Sequence, residues 1–302
     1  MLIRQIAKLT GHNAAIFALA QGADDRHFLS AAGDGWIVQW DFGNPDPGRL
    51  LAKVDTQIFA LHFLKNKNTV IAGDMNGGIH WVDLDNPAAT KNIAHHKKGV
   101  FDIIEANEQI FTAGGDGKLT RWSVEETRSL ESFHLSNQAL RSIDFCEKRN
   151  ELAVGSSDHS IYLLDATTLE LRHALQDAHG SSVFSVRYNP GGRLLLSGGR
   201  DAYLNVWSLE DEYKKVYSEP AHWFTINHIA FHPEGHLFAT ASRDKTLKIW
   251  DATSFELLKV LEGARDGGHF NSVNRLLWSG WNNVLVSCSD DRSIILWETD
   301  TP

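Results

Sequence analysis

The residues of this 302-residue chain most suggestive of chemistry are a histidine, a hydroxyl, an aspartate and a tryptophan at fixed spacing. His179, Ser197 and Asp201 stand 18 and 4 residues apart, with Trp207 six further on. These are the types that a nucleophile, its general base and the group orienting that base would need. Such chemistry requires one set, held in a cleft. Here the set recurs with the same offsets as His222, Thr240, Asp244 and Trp250, and as His269, Ser287, Asp291 and Trp297. His12, Ser30, Asp34 and Trp40 repeat it again. Four copies argue for a structural task, so no catalytic residue is assigned.

Three further units depart from the pattern. Thr112, Asp116 and Trp122 make a set whose histidine is His95 or His96, on a slightly shorter loop. Another unit has His134 and Asp158, but Val154 and Leu164 stand at the hydroxyl and tryptophan places, which breaks the set. In the unit of Trp81, Ile71 and Met75 replace the hydroxyl and the aspartate, with Asp74 beside Met75. The last two units are expected to be held by apolar packing instead.

The elements that position these residues are short strands. Residues 237–251 read L-F-A-T-A-S-R-D-K-T-L-K-I-W-D, two strand-forming runs flanking a polar turn. An isolated hairpin is marginal in water, so it must pack on something. The sequence supplies copies of it: Trp40, Trp81, Trp122, Leu164, Trp207, Trp250 and Trp297 follow one another at steps of 41, 41, 42, 43, 43 and 47 residues. Asp34-Gly35 and Asp116-Gly117 are tight-turn signals. Several short strands per repeat of this length indicate a propeller rather than a helical solenoid.

With these residues in place, the chain resembles the WD40 repeat family from about residue 2 to residue 297. The resemblance implies an all-β fold: a seven-bladed β-propeller of four-stranded antiparallel blades, one domain over residues 1–302. It also implies that each complete set is a buried hydrogen-bond chain from indole through hydroxyl and imidazole to carboxylate. Residues 3–9 form a strand pattern, while only five residues follow Trp297. The N-terminal strand is therefore expected to complete the last blade and close the ring.

The resemblance further implies a top face around the channel, lined by the start of each first strand and the residue before the turn aspartate. The family commonly binds peptides and proteins there. The partner-binding candidates so placed are Phe17, Phe59, Phe101, Arg141, Phe184, Arg200, Asn227, Arg243 and Asn274, with Trp223 and Phe224 as an added apolar lip. The two acids among the matching places are Asp74 and Asp290. Phenylalanine in four repeats makes an apolar arc interrupted by Arg141, and aromatic and arginine anchors in a concave patch are what binding sites enrich. An aromatic there could equally fill the space where the strand enters. Arg200 and Arg243 suit an acidic or phosphorylated partner group, or are simply solvated turn arginines.

The function so implied is a non-catalytic protein- or peptide-binding scaffold, monomeric by itself; the alternative is a propeller hydrolase, lyase or oxidoreductase with a site in the channel. No cofactor is expected. A net charge of −9 disfavours nucleic acid. Cys146 and Cys288 fall in different blades, too far apart to bridge, and no apolar run is long enough to span a membrane, so a cytoplasmic, membrane-free protein is expected. His228, His232 and His236 span a strand and a turn rather than a helix, so they are expected not to converge, and no metal is assigned. Gly114-Gly115-Asp116-Gly117-Lys118 lacks phosphate-loop spacing and precedes a strand.

Overall fold

Apolar–polar alternation folds Leu237–Ser242 and Leu247–Asp251 into an antiparallel hairpin in the computed structural model, which describes residues 2–300. Ile226–Phe231 pairs on one side and Leu257–Leu261 on the other, giving one four-stranded sheet. Seven such sheets are present. Their first strands touch in succession around a ring, from Ile16–Gln21 through to Val273–Trp278 and back. The chain is an all-β, seven-bladed propeller.

Leu2–Leu9 is the outer strand of the seventh blade, antiparallel to Ile294–Asp300 with Leu9 opposite Ile294. Pairing the two ends of the circle leaves no open blade face. The core lies between the sheets. One cluster joins Leu247 and Ile249 of blade six to Leu276 and Trp297 of blade seven. Trp122, Trp250 and Trp297 are among the largest fully buried side chains. Burying one large apolar side chain contributes about 1.5–3 kcal/mol, so inter-blade packing is the main source of cohesion.

The turn after each second strand demands a left-handed residue. Gly35 and Gly117 supply it at φ +74° and +78°, and a Cβ on Gly35 would lie 1.9 Å from the Val54 carbonyl oxygen. His159, Ala202, Lys245 and Arg292 hold the same place in other blades with φ between 66° and 77°. Among the described residues no helix is long and apolar enough to cross a membrane.

Candidate functional site

Blade six displays the polar chain in full. The Trp250 indole N–H donates to Thr240 Oγ1 at 3.0 Å, and that hydroxyl lies 2.7 Å from His222 Nε2. His222 Nδ1 is 2.9 Å from Asp244 Oδ2. Because an indole can only donate, the hydroxyl oxygen accepts and its own proton goes to Nε2; Nδ1–H then donates to the carboxylate. The imidazole is neutral in this arrangement, and burial lowers the His222 pKa further than the Asp244 hydrogen bond raises it. Burial pushes the Asp244 carboxyl up, but His222, Thr246 and the Trp223 N–H together hold it well below the carboxylate range.

The same three contacts join His12–Ser30–Asp34–Trp40, His96–Thr112–Asp116–Trp122, His179–Ser197–Asp201–Trp207 and His269–Ser287–Asp291–Trp297, at 2.8–3.2 Å. In blade three the histidine is His96. His95 lies edge-on to Trp122 at 4.7 Å between ring centroids. Each aspartate also accepts the backbone N–H two residues on, closing its turn.

Blades two and four correct the expectation of apolar packing alone. In blade two Asp74, not Met75, caps the turn, accepting from the Asn76 and Gly78 N–H groups at 2.7 and 2.8 Å. His80, from the third strand, takes the place of the missing loop histidine, 2.9 Å from Asp74 Oδ2 and 2.7 Å from Asn92 Oδ1. Asp74 is therefore buried rather than displayed on the top face. The Trp81 indole N–H is buried without a partner among the described residues: Trp81 pairs with Ile71 and packs toward blade three, while Val82 and Ala72 hold the places that Trp40 and Ser30 hold in blade one. In blade four His134 is exposed and bonds Asn137. Ser136 occupies the histidine place, and Asp158 accepts the Tyr162 hydroxyl at 2.6 Å. Burial and that carboxylate push the Tyr162 pKa up to about 12.

At the top of the channel every first strand carries a one-residue bulge. The bulged residues are Phe17, Phe59, Phe101, Arg141, Phe184, Asn227 and Asn274. A bulge leaves the ladder and re-aims its side chain. Phe17 meets Phe59 edge-on at 5.1 Å, and Phe59 stacks on Phe101 at 5.6 Å. Arg141 does not interrupt this arc; its guanidinium lies 4.2 Å from the Phe101 centroid and 5.1 Å from that of Phe184. Five side chains thus form one continuous surface.

The amide half of the ring is occupied differently. Asn227 donates to Ser272 Oγ and the Val273 carbonyl at 3.0 and 2.8 Å. Asn274 donates to the Ile16 carbonyl and to Asp290 at 2.9 and 2.8 Å. Both amides staple neighbouring blades. Arg200 and Arg243 are exposed on their turns, and no hydrogen bond or ion pair engages either guanidinium among the described residues. Trp223 and Phe224 are 87% and 59% exposed, and Phe270, which follows His269 as Trp223 follows His222, is 65% exposed. Sequence reasoning missed Phe270, although its place beside the set histidine was a readable signal.

It also missed the position just after each bulge. Asp102, Ser142, Ser185 and His228 each accept a backbone N–H of the next blade, from Ile143, Val186, Ile229 and Leu276. Arg275, at the same position, reaches across the bore to Asp102 at 2.6 Å. His228 is also contacted by Arg187 at 3.0 Å, and burial, with Arg275 and Arg187, drives its pKa well down. His228 therefore stays apart from His232 and His236, but those two do converge, contrary to expectation. Their rings are 4.4 Å apart, and with Glu234 they bring ligand atoms within 4.8 Å. The turn closes the pair: His232 Nδ1 accepts the Glu234 N–H, and its ring lies edge-on to Trp278. Cys146 and Cys288 are free and buried, and burial raises both thiol pKa values.

A profile of the family "WD domain, G-beta repeat" matches residues 3–41, 170–208, 213–251 and 256–298. The chain is 26% identical over 186 residues to the guanine nucleotide-binding protein subunit beta of Saccharomyces cerevisiae, covering 60% of this chain and 42% of that protein. It is 27% identical to the protein groucho of Drosophila melanogaster and 28% to transducin-like enhancer protein 2 of Mus musculus, each over 173 residues. These matches cover 56% of this chain but only 23% and 22% of those relatives' lengths. In structure it is similar to the WD40 β-propeller domain of Doa1, with a TM-score of 0.87 at 15% identity, over 99% of this chain and 97% of that one.

Proposed function

Because this chain belongs to the WD40 repeat family, we propose that it is a non-catalytic scaffold that binds a peptide or protein on the top face of its propeller. The observation that carries the reading is the continuous surface of Phe17, Phe59, Phe101, Arg141 and Phe184 at the channel mouth. Part-buried aromatics with a central arginine are the composition of binding hot spots. Exposed Trp223, Phe224 and Phe270 extend apolar area along blades six and seven. A relative named as a subunit of a guanine nucleotide-binding protein supports a binding role.

The enzyme alternative draws less support. Both acids expected on the top face are engaged in structural bonds, Asp74 with His80 and Asp290 with Asn274. The five His–hydroxyl–Asp sets are buried and spent on tryptophan N–H groups, so none presents a nucleophile.

Affinity capture from native lysate, read by mass spectrometry, tests the proposal with two variants. Trp223→Ala/Phe224→Ala removes solvent-facing rings and leaves the fold intact. Phe59→Ala/Phe101→Ala removes the centre of the arc and, at about 0.5–1.5 kcal/mol per aromatic pair, lowers the melting temperature modestly. Loss of the same captured protein in both folded variants is expected. Undiminished capture by both would overturn the assignment.

A further inference from the structure

Arg141 is the one charged side chain among the seven bulged residues, and no carboxylate pairs with it among the described residues. Its Nε donates to Ser157 Oγ at 2.9 Å, and its terminal nitrogens have no protein acceptor among the described residues. The side chain is part-buried between two phenyl faces. Burial and the nearby Arg200 charge both lower its pKa, and no carboxylate offsets them. It borders a cavity of about 390 Å³ between blades three, four and five, whose other charged walls are Lys98 and Arg200. No aspartate or glutamate lines that cavity. In a chain with a net charge of −9, three converging cations without an anion are a local exception.

A part-buried guanidinium beside two exposed like charges is repelled by them and is costly unless an anion joins it. Glycine keeps the space open, since a Cβ on Gly115 would come within 2.9 Å of the Phe101 ring and 3.0 Å of Lys98 Cβ. In blades five and six the same place carries Arg200 and Arg243. Phe101 and Phe184 flank the guanidinium and Ser157 holds its Nε, a preorganisation that suits two-point recognition of an oxyanion.

We propose that the cavity of Arg141, Lys98 and Arg200 is a built subsite for one oxyanion group, a carboxylate or a phosphate monoester, carried on a side chain of the bound peptide. The inference rests on the top-face reading and specifies what that face selects. A peptide fits better than a nucleic acid. The cavity is a single concave site walled on one side by Phe101 rather than a basic track, and the overall charge repels a polyanion.

Fluorescence anisotropy on the full chain tests this with four labelled probes. Three are degenerate peptide libraries with a fixed central glutamate, phosphoserine or alanine; the fourth is an oligothymidylate. The glutamate or phosphoserine library should bind at least about tenfold more tightly than the alanine library, a preference of about 1.4 kcal/mol. Which of the two leads identifies the source of the oxyanion. Arg141→Gln should abolish the preference. Lys98→Ala/Arg200→Ala, which removes only exposed side chains, should reduce it even if Arg141→Gln fails to fold. Arg193→Gln, an exposed residue paired with Glu210 on a turn after the first strand of blade five, should leave it intact. Equal binding of all three libraries, lost on Phe59→Ala/Phe101→Ala, would overturn the oxyanion subsite while sparing the top-face site. Binding of no library would overturn both, and tighter binding of the oligonucleotide would overturn the choice of a peptide.

Discussion

Blade six and blade four solve the same problem with different chemistry. Each must tie a turn to an incoming loop and fasten itself to its neighbours. Blade six does so from within, through Trp250, Thr240, His222 and Asp244. Blade four has Leu164 and Val154 where the indole and hydroxyl would be, and its aspartate turns to Tyr162. It adds an external clasp. Glu151, with no solvent exposure, accepts the Tyr188 and Tyr213 hydroxyls of blade five at 2.9 and 2.6 Å. Arg172 and Arg149 lie 3.4 and 3.6 Å from the same carboxylate. Blade two takes a third route, with His80 on a strand instead of a loop. Constant across all three is an aspartate that closes the turn; what satisfies its remaining oxygen varies.

The largest effect expected from breaking this comparison is at the clasp. Glu151→Ala removes a fully buried carboxylate and strands two tyrosine hydroxyls and the nearby arginines, which should cost about 3–5 kcal/mol. Urea denaturation followed by tryptophan fluorescence measures it. A loss under about 1 kcal/mol would mean that blade four needs no substitute for its missing chain. Next in size is Thr240→Val, which keeps shape but leaves the Trp250 N–H without an acceptor and His222 without its donor. At about 1–3 kcal/mol for an unsatisfied buried group, the expected loss is about 2–3 kcal/mol. If Thr240→Val proved neutral, the polar chain would contribute no more than the packing around it.

How much of this was legible depends on whether the signal repeated. The Trp–Asp period and the histidine offsets recur, so propeller, blade count and ring closure could all be read before any coordinates. Solutions used only once could not. His80 lies one residue before Trp81 and looks like an ordinary strand residue until the turn brings Asp74 to it. Glu151 and Tyr213 are 62 residues apart and meet only because blades four and five are adjacent. The channel-mouth residues were located by alignment of the repeats, but their bonding was not. Nothing in the letters distinguishes Asn274, committed to a carbonyl and Asp290, from Arg141, whose terminal nitrogens have no acceptor among the described residues. Strand geometry alone would keep His232 and His236 apart, and the tight turn between them brings their rings together.

Blade four has Ser136 at the place where blades one, three and six carry a buried histidine, and that histidine bears on the response to acid. In blades one, three and six, burial lowers the pKa of His12, His96 and His222. The unfolded chain takes up protons on these residues below about pH 6.5 while the folded chain does not, so stability is full above that pH and falls beneath it. Asp244 and Asp291, held well below the carboxylate range in the fold, add a second loss below about pH 4 as the unfolded carboxylates protonate. The melting temperature should therefore drop by a few degrees from pH 7 to pH 5 and more steeply below pH 4. A profile flat from pH 7 to pH 5 would show that the loop histidines are not buried in their neutral form.

The smallest expected effect makes the sharpest test, because it installs the missing piece rather than removing one. Trp81 is buried with its indole N–H unpaired among the described residues, and Ile71 stands directly opposite it on the ladder, whereas the Ser or Thr of the complete blades stands opposite the residue two before the tryptophan. Ile71→Thr loses apolar burial worth about 1–2 kcal/mol. A hydroxyl on the same face as the indole is expected to accept its N–H, recovering a desolvation penalty of about 1–3 kcal/mol. The two terms nearly cancel, so the urea midpoint should move by less than the equivalent of about 1 kcal/mol. Ile229→Thr in blade six, an equally buried isoleucine with no orphaned donor opposite, should cost the full burial term. A loss at Ile71 as large as that at Ile229 would mean that the Trp81 N–H is not the gap in blade two.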